Sequence, residues 1–169
     1  MDEASSHPPT GSVRLRSLRV GDIGWIVHRH GLIYAEEYGW DIAFEALVAE
    51  IAGQFAANFK PDREAALIAD RDGAILGAAF VVEAGPALAK LRLVYVERGE
   101  RGSGLGCRLV EAAMDFARTA GYTRMTLWTH DVLVPARRLY QRLGFVMTAS
   151  EAHLSFGRDL VSEVWERDL

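Results

Sequence analysis

Cysteine is nearly absent from this chain: Cys107 is the only one in 169 residues. No internal disulfide can form, and no Cys/His grouping has the spacing of zinc ligands, so no metal is expected. A reducing, cytoplasmic compartment fits that usage. Lysine is almost as scarce, with Lys60 and Lys90 the only two among 19 basic residues. The net charge of −4 argues against the basic face of a nucleic-acid binder. No apolar run reaches the roughly 18 residues of a membrane helix. The opening MDEASSHPPT lacks the charged-then-apolar pattern of a secretory signal. Nucleic acid and membrane are therefore not expected as partners. What is present is ordinary for a globular protein, half apolar and a quarter charged, and the length favours one domain.

Residues 1–12 are rich in Ser, Pro, Thr and Gly without an apolar period and read as a disordered lead-in to a single domain over 13–169. Alternation over Val13–Arg19 predicts a strand. Gly21-Asp22 offers a helix start, and Ile23, Ile26, Val27, His30 and Tyr34 follow at helical spacing. Gly39 breaks that helix. Asp41 caps a second one through Phe44, Leu47, Val48, Ile51 and Phe55. Ala65–Asp70 and Ala74–Val82 read as a hairpin turning at Asp72-Gly73, and Ala89–Val96 as another strand. An amphipathic helix runs from Leu105 to Ala120, then a strand over Thr123–Thr129. A short helix carries Pro135 just inside its start. A closing hairpin pairs Phe145–Phe156 with Leu160–Trp165 around Gly157-Arg158-Asp159. The order β-α-α-β-β-β-α-β-α-β-β predicts an α/β domain with a mixed, mostly antiparallel sheet of about seven strands and about four helices.

The chemically informative stretch is Val94-Tyr95-Val96-Glu97-Arg98-Gly99-Glu100-Arg101-Gly102-Ser103-Gly104-Leu105-Gly106, between a strand and an amphipathic helix. Glycines at 102, 104 and 106 let backbone approach a ligand closely. Successive N–H groups there, backed by the helix dipole, suit a pyrophosphate; a plain strand-to-helix turn is the alternative. Lysine is missing from the loop, which excludes a nucleoside-triphosphate P-loop. Hairpins rather than a parallel crossover precede it, which disfavours a dinucleotide fold. Arginines gather late, at Arg98, Arg101, Arg108, Arg137, Arg138 and Arg142, either to hold a polyanionic small molecule or as ordinary surface charge.

Arg101, Gly104 and Gly106 resemble the acetyl-CoA signature R/Q-x-x-G-x-G/A of the GCN5-related N-acetyltransferase (GNAT) superfamily. Ala136-Arg137-Arg138-Leu139-Tyr140-Gln141-Arg142-Leu143-Gly144-Phe145 is similar to that family's A-x-x-L-Y-x-x-x-G-F segment. The element order agrees, and the likeness spans 13–169. It implies acetyl-CoA as acyl donor, with direct attack by a primary amine in a ternary complex. The backbones of Val94 and Val96 would take the acetyl carbonyl and the pantetheine arm. Backbone N–H groups of Arg101, Gly102, Ser103, Gly104, Leu105 and Gly106 would cradle the pyrophosphate. Tyr140 would contact the cofactor and protonate the departing thiolate. Leu133 departs from the family, which often has an asparagine there that contacts pantetheine. A finer likeness, over His30–Trp40, Thr126–Thr129 and His153–Leu160, is to the acetyltransferase half of bacterial proteins that join a MarR-type regulator to a GNAT domain.

Removing a proton from the amine requires a base or a water chain. His30, Glu36, Glu37, Glu97, His130 and His153 are candidates, and Glu37 and His153 are preferred because both lie in the finer segments. Tyr34, Tyr38 and Trp40 are candidates for an apolar acceptor pocket. Cys107 is read as packing at a helix start. The expected reaction is acetylation of a small primary amine, an amino acid or similar compound. Two readings stand beside it: acetylation of a protein N-terminus or lysine, and a non-catalytic acyl-CoA sensor. A homodimer is compatible with all three.

Overall fold

The computed structural model describes residues 11–169. The lead-in expected over 1–12 lies outside the described residues except for its last two, where the Gly11 N–H donates to the Asp72 carboxylate at 3.2 Å. The elements are β1 (Arg14–Arg16), α1 (Asp22–Tyr38), α2 (Ile42–Asn58), β2 (Ala65–Arg71), β3 (Ala74–Gly85), β4 (Leu88–Val96), α3 (Leu105–Thr119), β5 (Arg124–His130), α4 (Val134–Arg142), β6 (Val146–Ser155) and β7 (Arg158–Asp168). They form one seven-stranded sheet in the order β1-β2-β3-β4-β5-β7-β6. Every pairing is antiparallel except β4 with β5. The α/β class, the strand count and the mostly antiparallel sheet agree with the pattern in the sequence.

Strand alternation sends side chains to opposite faces of the sheet. Ala69, Ala79, Val81, Ala89 and Leu91 pack with Leu109, Val110, Ala113 and Ala117 of α3. Ala66, Ile68, Ala78 and Phe80 pack with Ile26 and Ile33 of α1 and Phe55 of α2. Asp41 caps α2 as expected, its carboxylate accepting from the Ala43 N–H at 2.9 Å.

Several boundaries differ from the sequence reading: β3 runs to Gly85 and β7 to Asp168, beyond the expected Val82 and Trp165, and three others follow from local contacts. β1 stops at Arg16 because that side chain turns inward to buried carboxylates. Asp22 does not cap α1 with its side chain; Gly21 takes the cap position at φ 95°. β7 begins at Arg158 rather than Leu160. The turn is the two-residue pair Phe156-Gly157, at φ 54° and 74°, the left-handed geometry that matches the twist of a tight hairpin. A phenylalanine there carries no turn signal.

Arg16 is the hub of a buried ion network. Its guanidinium donates to Asp22 at 2.7 and 3.1 Å and to Asp70 at 2.9 Å. Burial alone would raise the pKa of Asp22, but hydrogen bonds from Arg16 and the Arg19 N–H outweigh it and hold the carboxyl below its usual range. Asp70 is lowered by its hydrogen bonds from Arg16 and the Gly73 N–H. Arg16→Met strands two buried carboxylates and should cost about 3–5 kcal/mol, read by urea denaturation at pH 7. Carboxylates with depressed folded pKa values stabilise above their unfolded value of about 4 and lose that contribution as pH falls through the folded values. The gap between wild type and variant should therefore be full near neutrality and shrink in acid. A gap that widens as pH falls would rule out this assignment.

Candidate active site

The parallel β4–β5 pairing covers only Leu88–Leu91 against Arg124–Leu127. Beyond it the strands part, and Arg92–Val96 present backbone with no partner on the β5 side. β4 is also bulged where it faces β3. Ala78 pairs with Tyr95 and Phe80 with Arg92, so β4 holds one extra residue there, and Leu93 sits at φ 50°. A non-glycine residue in that region costs on the order of 1–3 kcal/mol and is kept where the surroundings hold it, often at a functional site. The extra residue switches the side-chain alternation. Lys90 and Arg92 face α2, Tyr95 packs under α1 against His30, and Val94 and Val96 join the α3 side.

β4 ends in the glycine loop, held from both flanks. Arg29 of α1 clamps Glu97 with two hydrogen bonds of 2.7 Å. Arg71 of β2 holds Glu100 at 2.7 and 3.0 Å. Gly102 and Gly104 adopt φ 77° and 86°, a region closed to most side chains. α3 starts without a side-chain cap or an acid in its first turn. Among the described residues the N–H groups of Gly102, Gly104, Leu105, Gly106 and Cys107 find no acceptor. Unpaired amides at the positive end of a 15-residue helix make a site for an anion.

Two cavities meet at this wedge. The first, about 540 Å³, is walled by Val94, Val96, the loop from Glu100 to Cys107, and Arg138, Leu139 and Arg142 of α4. The second, about 380 Å³, lies between α2 and the exposed face of β4 and β5, with His30, Trp40, Phe44, Lys90, Arg92, Trp128 and His130 around it. Tyr34, Val94, Leu133, Ala136 and Tyr140 line both. Tyr140 is 6% exposed and burial raises its pKa above the ordinary phenol, so it stays protonated at any working pH.

The site residues read from the sequence divide accordingly. Val94, Val96, Arg101, Gly102, Gly104, Leu105, Gly106 and Tyr140 gather around the first cavity. Ser103 turns back instead, its hydroxyl donating to the Glu100 carbonyl at 2.6 Å. Tyr34 lines both cavities, Tyr38 the first and Trp40 the second. Glu37 and His153, the preferred bases, line neither. The Glu37 carboxylate accepts from Arg98 at 2.7 Å and Arg101 at 2.9 Å. Burial would raise its pKa, but those two arginines prevail and lower it, which makes it a poor proton acceptor. His153 sits behind His130, ring centroids 5.6 Å apart. Its Nδ1 is bonded to the Ser155 hydroxyl at 2.7 Å and its Nε2 is sealed from solvent. Glu97 is spent on Arg29.

Two histidines do reach the second cavity. The Nδ1–H of His30 donates to the Ile26 carbonyl at 2.8 Å, so Nε2 is what it offers a ligand. His130 lies edge-on to Trp40 and Trp128. Burial pushes both pKa values down to about 4, with His153 adding to the shift at His130. Both rings are neutral at physiological pH, but His130 Nε2 is sealed from solvent, so Nε2 of His30 is the acceptor offered to a ligand. Lys90 and Arg92 also line this cavity and had no role in the sequence reading. Their signal was two like charges alternating with Ala89 and Leu91 on an otherwise apolar strand.

Known proteins converge on the same architecture. The model of the acetyltransferase (GNAT) family matches residues 30–145. An uncharacterized N-acetyltransferase of Schizosaccharomyces pombe is 32% identical over 121 residues, covering 71% of this chain and 74% of that protein. An acetyltransferase structure from Salmonella typhimurium, solved with its cofactor acetyl-CoA, superposes with a TM-score of 0.75 at 20% identity, over 93% of this chain and 94% of its own. A GNAT-family acetyltransferase from Staphylococcus aureus reaches 0.79 at 15% identity, over 94% and 99%.

Proposed function

Given that this chain belongs to the acetyltransferase (GNAT) family, we propose that it transfers the acetyl group of acetyl-CoA to the primary amine of a small molecule, both substrates being bound at once. The observation that carries this reading is the meeting of two cavities at Tyr140 and Val94. Acyl transfer needs donor and acceptor in contact, and positioning of that kind supplies much of the rate.

Acetyl-CoA brings an activated thioester. The open amides of Gly102 to Cys107, with Arg101, Arg138 and Arg142 at the cavity wall, fit its phosphates. The unpaired backbone of Val94 to Val96 fits an extended amide-bearing arm as one more strand would. Leu133, buried and lining both cavities, gives this arm an apolar wall where a polar contact is common in the family. The amine nitrogen attacks the acetyl carbon, the carbon–sulfur bond breaks, and the sulfur gains a proton. In this reading the Val94 N–H stabilises negative charge on the carbonyl oxygen, and the Tyr140 hydroxyl donates to the sulfur. The neutral ring of His30 accepts a hydrogen bond from the incoming amine at Nε2, and His130, whose Nε2 is sealed, lines the cavity as wall. The low pKa of His30 makes it an orienting group rather than a strong base, so the amine's excess proton leaves through water. The segments that resemble regulator-fused acetyltransferases supply His30, Tyr34, Trp40 and Trp128 to the acceptor side.

Acceptor size supports a small molecule. A cavity of about 380 Å³ is at the small end of ligand pockets, and the Glu36–Glu37 pair is answered by arginine rather than open to a lysine-rich protein. The test is calorimetric titration with acetyl-CoA beside CoA and ATP, followed by thiol release with a panel of amines. Micromolar acetyl-CoA binding without ATP binding, and thiol release that depends on amine, is the expected result. Absence of acetyl-CoA binding overturns the reading. Binding with no release for any amine converts the protein into a sensor.

A further inference from the structure

We propose that the acceptor carries an anionic group at the end remote from its reacting amine, and that Lys90 and Arg92 hold it. This deepens the acetyltransferase reading and rests on it. The two residues stand two apart on β4 and line the same cavity, on the face turned to α2. Both are half-buried. Burial lowers the pKa of each, and Arg92 lowers that of Lys90 further; no carboxylate offsets either.

The other half-buried guanidinium groups are answered: Arg16, Arg29, Arg63, Arg71 and Arg137 by carboxylates, and Arg167 by the backbone carbonyls of Leu143 and Asp168. The protein as a whole has acid in excess, at −4. Among the described residues no Asp or Glu lines the second cavity. Two partly desolvated like charges side by side, without a counter-charge, are unfavourable in the free protein and become favourable once a ligand supplies the negative group.

Position along the strand gives the acceptor its shape. Counting from Val94 at the reacting junction, Arg92 comes first, across the bulge at Leu93, and Lys90 stands two residues farther, roughly 7 Å at the rise of a β-strand. Amine and anion are therefore at opposite ends, and Trp40, Phe44 and Trp128 wall the space between with surfaces suited to an apolar or aromatic middle. A second ammonium would face Lys90 and Arg92 and be repelled, which excludes polyamines.

The experiment compares three acceptors of similar size: 4-(aminomethyl)benzoate, 4-(aminomethyl)benzamide and 1,4-bis(aminomethyl)benzene. The carboxylate is expected to exceed the neutral amine by about 10- to 100-fold in kcat/KM, mostly through KM, with the diamine poorest. In Arg92→Met and Lys90→Met, which keep an apolar stem, the carboxylate-to-neutral ratio should fall toward one. Acetyl-CoA affinity and circular dichroism check that the fold survives. Equal use of the neutral amine, or an unchanged ratio in both variants, overturns the inference. Binding of 4-methylbenzoate against 4-methylbenzamide, measured without turnover, separates the two readings. Preferential carboxylate binding that is lost in Arg92→Met upholds the anion site even where no amine is acetylated, an outcome that counts against the transferase alone. No preference for the carboxylate sinks the anion site, whatever the enzyme does with amines.

Discussion

Replacing Tyr140 with phenylalanine is expected to lower kcat about 10²- to 10³-fold while leaving acetyl-CoA affinity within about 3-fold. The substitution removes one oxygen and keeps the ring, which packs at 5.9 Å from Phe145 inside the α3-side core. Among the described residues the hydroxyl has no protein partner, and it is not sealed like the Tyr95 hydroxyl or the Nε2 atoms of His130 and His153. Deleting it therefore strands nothing, and stability should change by less than about 1 kcal/mol. What the phenylalanine cannot do is donate a proton as negative charge builds on the sulfur. Because burial raises the phenol pKa, no loss of activity from tyrosine ionisation is expected below about pH 10. Pre-steady-state thiol release separates chemistry from product departure. A kcat lowered less than about 3-fold, with chemistry shown to be rate-limiting, would remove Tyr140 from the proton path.

The fold was legible because its local signals are strong and mutually consistent. Asp41 before an apolar-periodic run, Asp72-Gly73 between two apolar strands, and Gly104 ahead of an amphipathic helix each report a backbone preference that the tertiary structure keeps. The loop half of the site was legible for the same reason, since glycines at 102 and 104 state a dihedral requirement in the sequence itself. The bases were not. Glu37 looks like a free carboxylate until α1 is packed beside the loop, because its partners Arg98 and Arg101 are 61 and 64 residues away. His153 looks like a neighbour of the cleft until β6 is placed at the sheet edge behind β5 and β7. The bulge at Leu93 was hidden altogether. Leu93-Val94-Tyr95 contains no glycine or proline, and the extra residue is revealed only by counting β4 against β3. Yet that bulge puts Val94 and Val96 on the α3 side, whereas Lys90 and Arg92, ahead of it, keep the plain alternation with Ala89 and Leu91 and face the acceptor cavity.

Gly104→Val should weaken acetyl-CoA binding at least about 100-fold, the larger part of the loop's contribution to affinity, whereas Gly106→Ala should stay within about 3-fold of wild type. The contrast follows from backbone rather than crowding. A Cβ built on Gly104 meets no protein atom within 4 Å, but φ is 86° there, a conformation that β-branched residues avoid at a cost of roughly 1–2 kcal/mol or more. The valine variant relieves that cost by turning the peptide, and the neighbouring N–H groups then no longer converge on one point. Gly106 has an ordinary helical position. A Cβ there stands 3.4 Å from Leu139 and 3.7 Å from Val96, normal contact, with its N–H direction unchanged. Calorimetry on both variants, with unfolding curves to show that each is folded, reads the difference directly. If Gly104→Val retained affinity while folded, the anion would not sit on the amides at the start of α3, and the arginines of α4 would have to hold it instead. If both variants lost affinity equally, space at the loop rather than the direction of its amides would be the controlling quantity.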